Sequence, residues 1–120
     1  MTIGRWGEQI ASQYFASKGY EIITRNYHTR YGELDLVTKK DQTLVFVEVK
    51  TRSNQEYGTG EQAITPKKLQ ALRDSITVYL ETFPEPLPEW QIDLIVVEGA
   101  LNSPDPILLH YENLGEISLL

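Results

Sequence analysis

The sequence predicts an α/β domain in which helices flank a mixed sheet. Three observations carry this. Residues 4–18 and 65–83 place apolar side chains at helical spacing, and five shorter stretches have the composition of strands. The first three strands are joined by links too short for a crossover, which favours an antiparallel meander. The second helix is long enough to return the chain to a parallel strand.

Each element has its own signal. Trp6, Ile10, Tyr14 and Phe15 form the stripe of the first helix, and Gly19 is placed to end it. A strand over 20–26 sets Tyr20 and Ile22 on one face. Strands over 33–38 and 43–51 follow, joined by the turn Lys40-Asp41-Gln42. Residues 52–60 are polar and glycine-containing and read as a loop. Thr65 is the expected N-cap of the second helix and Pro66 its first residue. Leu69, Leu72, Ile76, Tyr79 and Leu80 form its stripe, and the proline-rich run from Phe83 to Pro88 stops it. An apolar strand over 90–98 is interrupted by Asp93. A turn around Asn102–Pro106 leads to a last strand over 107–112. Trp6, Trp90, Tyr14 and Tyr79 are expected in the core.

A chain of 120 residues suits one domain spanning 1–120. There is no cysteine, which excludes disulfides and thiolate metal sites and fits a reducing compartment. Its apolar runs are far too short to span a bilayer, so a cytoplasmic protein with no membrane partner is expected. The net charge of -6 conceals a split. All 11 Lys and Arg lie between Arg5 and Arg73, with 8 acids; residues 74–120 hold 9 acids and no Lys or Arg. A polyanion is therefore expected to meet the N-terminal part.

That part also carries the unusual acids. Side chains alternate along a strand. Glu33 and Asp35 are thus expected on one face, with Leu34 and Leu36 on the other. In the next strand Val45, Val47 and Val49 fill one face, and Phe46, Glu48 and Lys50 the opposite one. Pairing the strands gathers Asp35, Glu48 and Lys50 on one surface. Charges on a strand commonly mark no more than its solvated face. Against this, Phe46 shares the face of Glu48 and Lys50, and the acids of the two strands coincide. Carboxylate oxygens beside a lysine suit Mg²⁺ or Mn²⁺ and a phosphate. Arg25, Arg30, Arg52, Lys67 and Lys68 are candidates to hold flanking phosphates, the two lysines in the first turn of a helix. Tyr27, Tyr31 and Tyr57 are candidates to stack on bases. His28 and His110 are isolated and receive no chemical role.

The helix, three-strand, helix, strand order, with Asp35 and then Glu48-Val49-Lys50, resembles the core of the PD-(D/E)XK nuclease superfamily, the restriction-endonuclease-like fold. The segments GEQIASQYFASKGY (7–20), RNYHTRYGELDLV (25–37) and LVFVEVKTR (44–52) resemble the YraN-like family of small bacterial proteins, which is similar to archaeal Holliday junction resolvases. The resemblance implies a Mg²⁺- or Mn²⁺-dependent endonuclease-type domain acting on DNA, with branched or single-stranded DNA as the expected form. It implies Asp35, Glu48 and Lys50 as the catalytic set, Asp35 and Glu48 with Glu8 as metal ligands, and Glu33 in support. Lys50 would contact the scissile phosphate or the attacking water. Gln62 and Gln91 depart from the family pattern, which often has Glu and Arg there. Two other readings stand beside it: a non-catalytic nucleic-acid-binding module that keeps the fold, and an adaptor that uses the acidic half. A homodimer is compatible with each.

Overall fold

The computed structural model describes residues 1–53 and 64–116. Helix α1 (Ile3–Ser17) is capped by Thr2, whose hydroxyl accepts the Arg5 amide, and ends before Gly19 at φ +89°. Strands β1 (Glu21–Thr29), β2 (Gly32–Lys40) and β3 (Thr43–Arg52) run antiparallel in sequence. Helix α2 (Pro66–Leu80) carries the chain to β4 (Glu89–Glu98), parallel to β3. Strand β5 (Ile107–Tyr111) pairs antiparallel with β4, and a 3-10 turn (Leu114–Glu116) follows. The sheet order is β1-β2-β3-β4-β5, so β3 is central. This mixed sheet with its two helices matches a restriction-endonuclease-like core. No helix among the described residues is long and apolar enough to cross a membrane.

The helices cover opposite faces of the sheet, and each face has its own core. On the α2 face Leu44, Phe46, Ile92, Leu94 and Val96 meet Leu72, Ile76 and Leu80. On the α1 face Val45, Val47 and Ile95 meet Ala11 and Phe15. Strand β3 therefore alternates as its sequence requires. Strand β2 does not. Leu34 joins the α2 core and Leu36 the α1 core, although two residues apart on an unbroken strand share a face. The expectation that they sit together is corrected, because the pleat breaks between them, at Asp35.

Close approach of α1 to β3 depends on Gly7. A Cβ there would run into the Thr51 hydroxyl. Trp6 is buried as expected, but Trp90 is 38% exposed: it is the second residue of β4, with its ring edge-on to Phe46.

Candidate functional site

The break at Asp35 builds the site. The β2–β3 register runs from Lys40 opposite Thr43 to Leu36 opposite Val47 and then stops. Beyond it β2 stays with β1 and leaves β3. The Val49 amide, with no β2 carbonyl to meet, donates to Asp35 Oδ2 at 2.9 Å. The parted strands open a window at the end of the sheet. Residues from both helix layers meet Asp35 there.

From the α1 side come Glu8 and Glu33. One oxygen from each of Glu8, Glu33 and Asp35 lies within 4.8 Å of the other two. Asn26 holds this arrangement: its side-chain amide donates to Glu33 Oε1 at 2.7 Å and Glu8 Oε1 at 3.1 Å. It lies on β1 between Arg25, opposite Leu36, and Tyr27, opposite Leu34, and so faces Asp35 across the ladder. Its φ of +54° is a left-handed conformation that Asn tolerates better than most residues.

From the α2 side come Glu48 and Lys68. Glu48 is buried and hydrogen-bonded to Asp35. Lys68 Nζ lies 3.3 Å from Glu48 Oε1. Thr65 caps α2 by accepting the Lys68 amide at 3.1 Å, which fixes the turn that aims this lysine. Tyr31, Glu33, Asp35, Glu48, Lys68 and Ser75 line a cleft of about 300 Å³. Burial, and then the neighbouring Glu48 charge, raise the Asp35 carboxyl from 3.8 to about 7. The Val49 hydrogen bond opposes the shift without cancelling it.

A second cleft, of about 430 Å³, lies between α1 and β1. It shares Glu8 and Asn26 with the acid cluster and adds Arg5, Arg25, Gln9 and Gln13. The acids thus sit between two openings, each with a cationic residue in its lining.

The remaining candidates are placed unevenly. Lys50 is exposed, two residues beyond Glu48 on β3. Arg30 is exposed with its guanidinium over the Tyr31 ring, and Lys67 is exposed in the first turn of α2. Arg52 is different. Its side chain is 10% exposed and pairs with buried Glu98 at 3.3 Å, which holds it away from a polymer. Tyr27 is packed edge-on against Tyr79 beside the core rather than offered to a base. Tyr57 and Gln62 lie outside the described residues.

The sequence reading missed three residues. Asn26 and Arg5 had no role, and a polar residue on a strand or a lone helix arginine gives no warning of one. His110, isolated in the sequence, places its Nε2 2.7 Å from fully buried Asp93 and its Nδ1 3.0 Å from the Tyr14 hydroxyl. Asp93 also accepts from Gln91 and from the Asn113 amide. Asp93, His110 and Glu112 bring ligand-type atoms within 4.8 Å of one another. The Asp93 and His110 atoms are already engaged in these bonds, which tie β4, β5 and α1 together.

Residues 7–97 match the model of the uncharacterised protein family UPF0102. The chain is similar to a UPF0102 protein of Syntrophomonas wolfei, 48% identical over 95 residues, covering 79% of this chain and 83% of the relative. It is 39% identical over 111 residues to one from Alkaliphilus oremlandii, covering 92% and 95%. A third, from Herpetosiphon aurantiacus, is 35% identical over 114 residues, covering 92% and 90%.

Proposed function

The chain belongs to the UPF0102 family, and on that premise we propose that it is a divalent-cation-dependent nuclease-type domain that hydrolyses phosphodiester bonds of DNA. The observation that carries this is Asp35, seated in the gap between β2 and β3 with Glu8, Glu33 and Glu48 around it. Four carboxylates converge from α1, β2 and β3, and burial, then the neighbouring Glu48 charge, lifts the Asp35 carboxyl to about 7.

The donor set fits the expected cation. It consists of carboxylate oxygens alone, which suit Mg²⁺ or Mn²⁺. Asp35 and Glu48 would hold it, with Glu8 and Glu33 completing the site. Bound there, such a cation would polarise the phosphoryl oxygen and make an attacking water more acidic. The chain's own residues do the rest. Val49 fixes one Asp35 oxygen through its amide, and Asn26 fixes Glu8 and Glu33, so the ligands need little reorganisation. Lys50, exposed on the face of Glu48, is available to the phosphate. Lys67 on one side, and Arg5 and Arg25 on the other, would hold phosphates along a strand crossing the acids. Branched or single-stranded DNA is the substrate form this reading favours.

The test is purified protein with Mg²⁺ or Mn²⁺ against single-stranded, duplex, flapped and four-way-junction DNA, with RNA beside them. Cleavage that is lost in Asp35→Ala and Glu48→Ala is the expected result. Tight binding by the wild type, with no cleavage of any substrate, would instead favour the non-catalytic binding module.

A further inference from the structure

Two lysines stand near the acids, and the geometry separates them. Lys50 has the sequence position expected of a phosphate-contacting lysine, yet it is exposed and does not line the acid cleft. Lys68 comes from the first turn of α2 and reaches the carboxylates. Its side chain is 42% exposed while Glu48 is 6% exposed, so the ammonium enters from solvent onto a buried acid. A carboxylate this buried needs a counter-charge. Lys68 supplies it at one oxygen, while Asp35 shares a hydrogen bond with the same carboxylate.

We propose that Lys68 is the built-in counter-ion of the acid cluster. In the cation-free protein it neutralises Glu48, and it gives Glu48 up when a divalent cation binds. The freed ammonium then contacts the substrate phosphate. The proposal rests on the metal-site reading above and assigns the exchange to one residue. Three features support it. Lys68 and an incoming cation compete for the same carboxylate. Lysine has a flexible four-carbon stem and a point charge, so it can swing away without disturbing α2. A cation in the first turn of a helix is opposed by the helix dipole, so Lys68 gains nothing from its own helix and is held by Glu48.

The experiment is Mn²⁺ titration of the full chain at pH 7.5, followed by electron paramagnetic resonance, with folding checked by circular dichroism. Lys68→Met should bind Mn²⁺ about two- to fivefold more tightly, the worth of a half-exposed ion pair. Lys68→Arg, which keeps the charge, should stay near wild type. Lys39→Met makes the same charge change at the far end of β2 and should also stay near wild type. With Ca²⁺ in place of Mn²⁺, Lys68→Met should bind a single-stranded oligonucleotide several-fold more weakly, with the salt slope reduced by about one. Wild-type Mn²⁺ binding with no tightening in Lys68→Met overturns this proposal and leaves the metal site standing. Tightening in Lys50→Met instead would make Lys50 the counter-ion and also overturn it. No Mn²⁺ binding by the wild type would overturn the metal-site reading and the proposal together.

Discussion

Asp35 Oδ2 accepts the Val49 amide at 2.9 Å, at the point where the ladder between β2 and β3 has ended. One side chain thus replaces a backbone partner, and the gap it fills is where Glu8 of α1 and Lys68 of α2 approach the acids from opposite faces of the sheet. Placing an acid at a break in a sheet satisfies a half-buried amide and creates a pocket of charge together. The pH behaviour expected of the protein and the cation site proposed for it both rest on this arrangement.

The first consequence is for stability. The Asp35 carboxyl is raised to about 7 in the fold from 3.8, chiefly by burial and next by Glu48. The folded chain therefore keeps a proton that the unfolded chain releases. The resulting stabilisation is full below about pH 4 and is lost as pH rises toward 7, on the order of a few kcal/mol. Asp35→Asn keeps a neutral side chain at every pH. Cation-free melting curves should show wild type losing stability from pH 5 to 8 relative to Asp35→Asn, so that the variant is the more stable at pH 8. Parallel pH dependence in the two proteins would contradict this.

Cation binding should depend on the same proton. Asp35 must be deprotonated to act as a ligand, so binding releases protons. Apparent Mn²⁺ affinity should rise up to about tenfold per pH unit below pH 7 and level off above it. Calorimetry in two buffers of different ionisation enthalpy measures the proton release directly. Affinity independent of pH between 5.5 and 8 would remove Asp35 from the ligand set.

How much of this was legible in the chain varies with the element. Thr65-Pro66 marked the start of α2 and Gly19 the end of α1, because caps are local chemistry. The two faces of β3 followed from Val45, Val47 and Val49 against Phe46 and Glu48. The faces of Leu34 and Leu36 did not follow, because alternation assumes an unbroken pleat and Asp35 is where it breaks. Asp35 and Glu48 were legible as a pair because they lie on consecutive strands. Lys68 at Glu48 and His110 on Asp93 join distant segments, and no local pattern announces them; Asn26 is on the strand next to Asp35, but a polar strand residue carries no sign of a role.

Asn26 has two separable roles. Asn26→Gly keeps a residue at ease at φ +54° but removes the amide shared by Glu8 and Glu33. It should fold well and lose about 10- to 100-fold in Mn²⁺ affinity, as when a group that orients ligands is removed. Asn26→Ala should lose the same affinity and about 1 kcal/mol more stability, for forcing a Cβ residue left-handed. Equal denaturant midpoints for the two variants would refute the backbone part. Wild-type Mn²⁺ affinity in both would refute the orienting part.

Gly7 sets how closely α1 approaches β3, and so where Glu8 sits. Gly7→Ala should cost about 1–3 kcal/mol, because the new methyl meets Thr51. Thr51→Ala removes the obstructing branches and should recover part of the loss in the double variant. Additive effects in a urea-denaturation cycle would show that the contact does not govern this packing.

The claim that the parted strands hold a cation site used to cut DNA is tested most directly by single-turnover cleavage of end-labelled branched and single-stranded DNA with Mn²⁺. Wild type, Asp35→Ala, Glu48→Ala and Lys50→Ala are compared, each confirmed as folded. Cleavage by the wild type is expected, and none above background in the two acid variants. Lys50→Ala should cut more slowly while keeping wild-type Mn²⁺ affinity. Wild-type protein that binds Mn²⁺ and DNA but leaves every substrate intact, or cleavage that survives Asp35→Ala, would contradict it.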